Sequence, residues 1–308
     1  MNTEMDAVVF NNQFMEQLDT TDGIRKFASA GAAFVRAKIR ELGFARKVLP
    51  PENVSRAECT RAVDHDTLVK IIDIEHESAA MAVNFAAQAS DRYIQGKRYA
   101  IPFYKISSEK FVKNEAELLA YDHPVTKVIE ENSVKDIQAA EDSKFIEYAE
   151  SAISITGKRI VSDVTSVTRL EIKDGFKMID AEKNAASCVL MNTVDHDDYM
   201  VQPATEIGSM AASEMFINGY KYPTIQGRRL VLTNKTDIIF PGEIWFFADP
   251  QYLGNFFILQ DMKFWIKKEA DTIEWMTWEY TGMGFGNIKN IAKIELDVPS
   301  PIPHNGTI

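Results

Sequence analysis

The sequence predicts an α+β fold, and three observations carry that expectation. Residues 225–296 repeat their apolar side chains with a period of two, and all four tryptophans (Trp245, Trp265, Trp275 and Trp278) fall there. Pro241-Gly242, Leu253-Gly254-Asn255 and Gly282-Met283-Gly284 punctuate that stretch as turns punctuate strands. Two earlier stretches, 22–42 and 125–154, space their apolar residues as helices do.

Within the strand-rich region, Ile273, Trp275, Thr277 and Glu279 alternate with Glu274, Met276, Trp278 and Tyr280, so both faces carry bulky groups. Runs at 228–233, 237–240, 243–249, 256–258, 262–267, 272–280 and 288–296 are expected as successive strands. Gly282 to Gly286 is glycine-rich, but a phosphate cradle needs a helix after its strand. With strands on both sides, the expectation is a bend. Asp249-Pro250 and Asn255 read as turn residues.

Taken from the start, residues 1–20 are polar and mixed. Ile24, Phe27, Gly31, Phe34, Val35, Ile39 and Leu42 then mark a helix that Gly43 stops, and Pro50-Pro51 forces an extended exit. Such a helix is expected to act as an arm. Residues 68–75 read as a strand and 98–106 as its return, with Pro102 requiring a sheet edge because it has no N–H to give. Between them lie small residues, too few of them large and apolar for a core of their own, so this hairpin is expected to pack on another molecule or to stay mobile. Residues 125–154 read as one helix, or as two with a kink where Ser133 and Asp136 offer a second N-cap. After Gly157 the reading is a strand at 166–172, a helix after Asp174, a buried run at 185–191, a loop at 195–198 and a helix at 207–218. The tail from Pro299 is extended.

The 308 residues suffice for one large core or two smaller ones, and 45% hydrophobic with 26% charged residues is ordinary for a folded chain. A net charge of −11 argues against a dedicated nucleic-acid binder. The basic group Arg36, Lys38, Arg40, Arg46 and Lys47 reads as a solvated helix face. Two cysteines, Cys59 and Cys188, give neither a disulfide framework nor metal-ligand spacing, and point to a reducing compartment. The chain shows no secretory signal and no apolar run near the roughly 20 residues that span a bilayer. It is expected in a cytoplasm, or in something assembled there.

Three histidines sit between carboxylates: His65, His76 and His196. Successive residues on a strand face opposite ways, so one triplet cannot offer three ligands to one ion, and no H-x-x-x-H spacing helps. They read as solvated turns, with a metal-dependent enzyme as the rival that would need separate triplets to converge. His123 reads as a residue at a helix start. No G-x-S-x-G, P-loop or G-x-G-x-x-G motif occurs. No catalytic, cofactor-binding or metal residue is assigned, and no cofactor is expected.

Segment order and one passage carry a resemblance. Gln226-Gly227-Arg228-Arg229-Leu230-Val231-Leu232-Thr233-Asn234, followed by Phe240-Pro241-Gly242-Glu243-Ile244-Trp245-Phe246-Phe247-Ala248-Asp249, resembles a passage of the major capsid protein of tailed bacteriophages, the Hong Kong 97-type shell fold. Gly254 to Ile258, the strand at 262–267 and the closing run from Gly286 to Leu296 resemble its final strands. The resemblance implies an N-terminal arm with a helix at 1–65 and an extended loop at 66–112. A spine helix of the peripheral domain falls at 113–156 and an axial domain at 157–250. Peripheral aromatic strands follow at 251–285, then a closing strand and tail at 286–308. It implies a non-enzymatic subunit that assembles with itself as pentamers and hexamers into an icosahedral shell around double-stranded DNA. Its expected partners are a scaffold, a portal and cement proteins, with DNA held non-specifically and no membrane. A separate scaffold or prior processing is implied, because little chain precedes the fold. The expected inter-subunit residues are Met81, Phe85, Arg92, Tyr93, Ile94, Lys97 and Arg98. An encapsulin-like bacterial compartment and a tail-tube protein are the rivals among assemblies.

Overall fold

The computed structural model describes residues 16, 18, 20–74, 80–85, 96–119, 125–200 and 224–298. Helix α1 (Thr21–Leu42) starts where the Thr20 hydroxyl accepts the Gly23 N–H at 3.1 Å, and ends where Gly43 donates to the Ile39 carbonyl at 3.0 Å. Its apolar stripe buries Ala32, Val35 and Ile39. Gly31 lets the helix approach the Phe264 ring, which a Cβ there would meet at 3.3 Å.

A four-residue helix, α2 (Ala45–Val48), then sinks Phe44, Ala45, Val48 and Leu49 into the main core. The leading segment is therefore a core element and not the expected arm. Its stripe is wide enough to be covered by neighbours on two sides, and α1 packs on both strand β12 (Gly254–Glu269) and helix α4 (Val125–Thr156). After the prolines, β1 (Pro51–Asn53) adds in parallel to β12.

Helix α4 runs 32 residues as one helix, without the kink. Ser133 is buried inside it, and the apolar row Ile129, Ile137, Phe145, Ala149 and Ile153 continues through that point. Packing along the whole row overrides the local capping signal. The short helix α3 (Glu115–Leu119) precedes it.

The described strands form three sheets, of which the first two pack on this helix. The first is built on a long antiparallel pair, β12 with β13 (Thr272–Phe285), joined by a turn in which Ala270 takes φ 52°. Strands β5 (Tyr104–Ser107) and β6 (Phe111–Asn114) both pair with β13. The separate strands expected at 256–258 and 262–267 are one 16-residue strand whose register slips between Ile258 and Lys263. The glycines at 282 and 284 lie inside β13, so no bend occurs there.

The second sheet has six strands in the order β7-β14-β11-β8-β10-β9. They are β7 (Arg159–Ser162), β8 (Ala186–Asn192), β9 (Thr224–Ile225), β10 (Arg228–Thr233), β11 (Glu243–Ala248) and β14 (Ile291–Leu296). Trp245, Phe246 and Phe247 of β11 are all fully buried, which requires cover on both faces. Phe247 meets Phe145 of α4 at 5.3 Å on one side, and Phe246 meets Phe176 of α5 (Arg169–Asp180) at 5.4 Å on the other.

Three further expectations change here. Residues 169–172 open α5 rather than close a strand, because Thr168 caps it by accepting the Leu170 N–H at 3.2 Å. Residues 237–240 form a turn closed on the Lys235 carbonyl, not a strand. Residues 195–198 lie in helix α6 (Thr193–Met200), not a loop. Asp249 caps the short helix α7 (Pro250–Leu253) through the Gln251 N–H at 3.1 Å. The helix expected at 207–218 and the tail from 299 lie outside the described residues.

The third sheet, β2 (Thr60–Arg61), β3 (Leu68–Ile74) and β4 (Lys97–Pro102), is the hairpin. The return strand expected over 98–106 is divided at Phe103, with β4 in this sheet and β5 in the first. Pro102 sits on the edge strand, as its missing N–H requires. No helix among the described residues is long and apolar enough to cross a membrane.

Candidate assembly surface

The hairpin has a packed root and, beyond it, exposed apolar residues among those described. At the root, Val54, Cys59, Ile101, Phe103 and Phe257 bury one another, with Leu68, Ile72 and Tyr99 against them. Close approach of β4 to β13 depends on missing side chains. A Cβ on Gly282 would lie 2.9 Å from the Pro102 carbonyl oxygen, and one on Gly284 would lie 3.0 Å from Ile101 Cγ1.

Towards the tip the apolar residues turn outwards. Phe85 is fully exposed, and Met81, Val83, Ile71 and Ile74 are exposed as well. Met81, Val83 and Phe85 alternate with Ala82 and Asn84, so in extended chain the three would share one face. Of the residues expected between subunits, Met81, Phe85, Lys97 and Arg98 are thus solvent-exposed in the single chain. Arg98 Nε also donates to Asp73 across the hairpin at 2.6 Å. Arg92, Tyr93 and Ile94 lie outside the described residues. Val83 was missed, although its period-two spacing with Met81 and Phe85 was readable.

Behind this surface, buried charges tie the body together. Arg46 grips Glu141 through Nε at 2.8 Å and Nη2 at 2.5 Å, and reaches Glu279 at 3.0 Å. The expected solvated basic face therefore does not include Arg46, which is buried because two carboxylates wait for it in the interior. Next to it, Asp142 accepts the Ala45 N–H at 2.8 Å and the Lys235 ammonium at 2.5 Å, while burial holds its carboxyl above the usual range.

A second group centres on Lys293 of β14. Its ammonium meets Glu150, Glu243 at 2.8 Å and Glu295 at 2.9 Å, and lies 4.8 Å from the Trp245 ring centre. These three carboxylates are, among the described residues, the single set of three potential metal ligands. The lysine ammonium already occupies the middle of that set, so it neutralises in place of an ion.

Neither of the described histidines, His65 and His196, belongs to that set. His65 is exposed in a bend, as expected of a solvated turn. His196 is not: it is buried in α6, 3.7 Å from Asp197, and burial holds its imidazole below the ordinary value. Its neighbour Asp195 is buried too and accepts the Gly242 N–H at 2.8 Å; burial pushes its carboxyl up to about 6. The helical period turns Asp195 and His196 inwards and leaves Asp197 exposed. His76 and His123 lie outside the described residues.

No protein-family model matches the chain, and no curated protein matches it in sequence. Solved structures do. A structure from Microbacterium phage Oxtober96 superposes with a TM-score of 0.58 at 10% identity, covering 83% of this chain and 91% of that one. The asymmetric unit of the bacteriophage PhiM1 mature capsid gives 0.56 at 7% identity, covering 85% and 88%. The virus-like particle from Pyrococcus furiosus gives 0.51 at 12% identity, covering 88% and 99%. With the long helix, the paired long strands and the projecting hairpin in one chain, these likenesses establish the Hong Kong 97-type shell fold.

Proposed function

We propose that this chain is a major capsid protein, a structural and non-catalytic subunit that assembles into the icosahedral shell around a double-stranded DNA phage genome. The observation that carries this is the likeness over 85% of the chain to the PhiM1 mature capsid subunit. The hairpin supports it, because packing a second copy over exposed Phe85, Met81 and Val83 removes their apolar surface from water. Residues 66–112 then serve as the loop between neighbours and 125–154 as the spine. The six-stranded sheet serves as the axial domain, and Arg92, Tyr93, Ile94, Lys97 and Arg98 join Met81 and Phe85 at the contact.

In this reading the chain forms pentamers and hexamers, with scaffold, portal and cement proteins as partners, in the host cytoplasm and then in the virion. A net charge of −11 keeps the wall from gripping DNA tightly. A second reading, an encapsulin-like compartment, draws on the likeness to the P. furiosus virus-like particle.

Light scattering and negative-stain microscopy of the purified chain test the proposal. Closed or aberrant shells, or rings of five and six, are expected. A particle of 34.8 kDa at every concentration would defeat it. Shells that enclose a protein cargo in place of DNA in the native host would favour the second reading.

A further inference from the structure

The Arg46 site holds one cation between two buried carboxyl groups on different elements. Arg46 stands on α2, Glu141 on α4 and Glu279 on β13, and all three side chains are nearly inaccessible to solvent. Arg46 satisfies both oxygens of Glu141 but only Oε2 of Glu279. Glu279 Oε1 is buried and receives no N–H or O–H, while Arg46 Nη2 holds both carboxyl groups, at 2.5 Å from Glu141 Oε1 and 3.0 Å from Glu279 Oε2. One proton kept by this pair of carboxyl groups leaves one negative charge facing one positive charge.

Among the described residues, Arg46 is the cation that meets Glu279. The aromatic ring of Phe256 lies under Arg46 at 5.8 Å, and the Tyr104 hydroxyl of β5 faces the pair with Tyr148 of α4 next to it. Asp142 of α4 faces Glu141, and Lys235, the next cation, is bound to Asp142. Tyr104, Tyr148, Asp142 and Lys235 are thus the described titratable neighbours of the joint.

We propose that Arg46, Glu141 and Glu279 form a proton-dependent clasp that holds α2, α4 and β13 together while the carboxyl pair keeps one proton, and loosens that joint when the proton leaves. Burial, and then the neighbouring Glu141, hold the Glu279 carboxyl well above the usual range. Below the ordinary glutamate pKa the folded and unfolded chains both carry the proton. Above it only the folded chain does, so folding stability falls as pH rises, until the folded group titrates as well. The leading segment, 44–49, is the part expected to loosen first, because α2 is a single turn whose polar ties are Arg46 and the Asp142 bond to Ala45, beside the core packing of Phe44, Val48 and Leu49.

The test compares the full chain with Glu279→Gln from about pH 6 to about pH 10. The amide can accept from Arg46 without a titrating proton. In the wild type, the melting temperature should fall with pH. Amide exchange at 44–49, corrected for intrinsic rate, should rise several-fold. In Glu279→Gln both trends should flatten. A variant that follows the wild-type profile, or a wild type with neither trend, overturns the clasp. Should the variant not fold, infrared spectra of the wild type decide. A carboxylic-acid C=O band that persists at neutral pH and vanishes in step with the alkaline loss supports the clasp; its absence at neutral pH overturns it.

Discussion

Helix α1 with α2 and the hairpin of β3 and β4 place their apolar residues in opposite ways. In the leading segment, Val35, Ile39, Phe44 and Leu49 are within 1% of complete burial. In the hairpin the interior ends at Ile101 and Phe103 near its root, and from there Ile71, Ile74, Met81, Val83 and Phe85 face solvent. A lone subunit thus has a finished core and an unfinished limb. That is the division a shell protein needs, since folding must precede assembly while assembly must still bury something.

The largest effect expected from this contrast comes from a pair of matched truncations. Phe44 is 1% exposed and sets its edge against Phe145 at 6.4 Å, so Phe44→Ala should cost about 3–5 kcal/mol of subunit stability. Phe85→Ala, the same chemical change on the limb, should stay within about 0.5 kcal/mol. Urea unfolding of dissociated subunits checks both. Shell formation should respond in the reverse order, with folded Phe85→Ala subunits failing to close shells. Equal costs in urea would show that the tip packs on its own subunit and erase the distinction.

The contrast also explains what the sequence disclosed. The long strands, the long helix and the edge position of Pro102 were legible because each rests on a repeating pattern or on a missing donor. Whether a helix docks is not a local property. The stripe Ile24, Phe27, Val35 and Ile39 predicted α1 itself but not its cover, which Phe264 and the α4 row supply from more than ninety residues away. The same holds for charge. Arg46 looked solvated among Arg40 and Lys47 because its partners, Glu141 and Glu279, stand 95 and 233 residues along the chain. Helix α6 was hidden because its four acidic and histidine residues suggest a loop, while two of them, Asp195 and His196, point inwards. The exposure of Met81 and Phe85 was the readable part of the hairpin, since a lack of large side chains over 78–90 is visible without any partner.

A smaller effect should appear at the root, where the two regions meet. A methyl group at residue 282 meets the Pro102 carbonyl at 2.9 Å and the Phe103 ring at 3.1 Å, and backbone cannot move aside as a side-chain end can. Gly282→Ala should cost about 1–3 kcal/mol. Hydrogen exchange will locate the loss: faster exchange across β4 and its partners in β3, with β11 and β8 unchanged, keeps the limb separate from the core. A uniform increase across all three sheets would mean that the root is part of one cooperative unit with the body.

The smallest effect is expected at the ion pair on the limb itself. Arg98 and Asp73 pair at 2.6 Å with side chains 67% and 75% exposed, in contrast to Arg46, whose side chain is 4% exposed. Water and salt screen such a pair, and holding two side chains in place offsets much of the attraction. Arg98→Gln should therefore change subunit stability by less than about 0.5 kcal/mol, and the difference should vanish at high salt. The outcome for assembly separates two roles for this arginine. If Arg98 only braces the hairpin, shells of the variant should form at the wild-type concentration. If it leaves Asp73 for a carboxylate of a neighbouring copy, the concentration needed for shells should rise at low salt and converge with the wild type as salt is added. Light scattering across a salt series reads both, and a large stability loss in the isolated subunit would contradict the exposed geometry altogether.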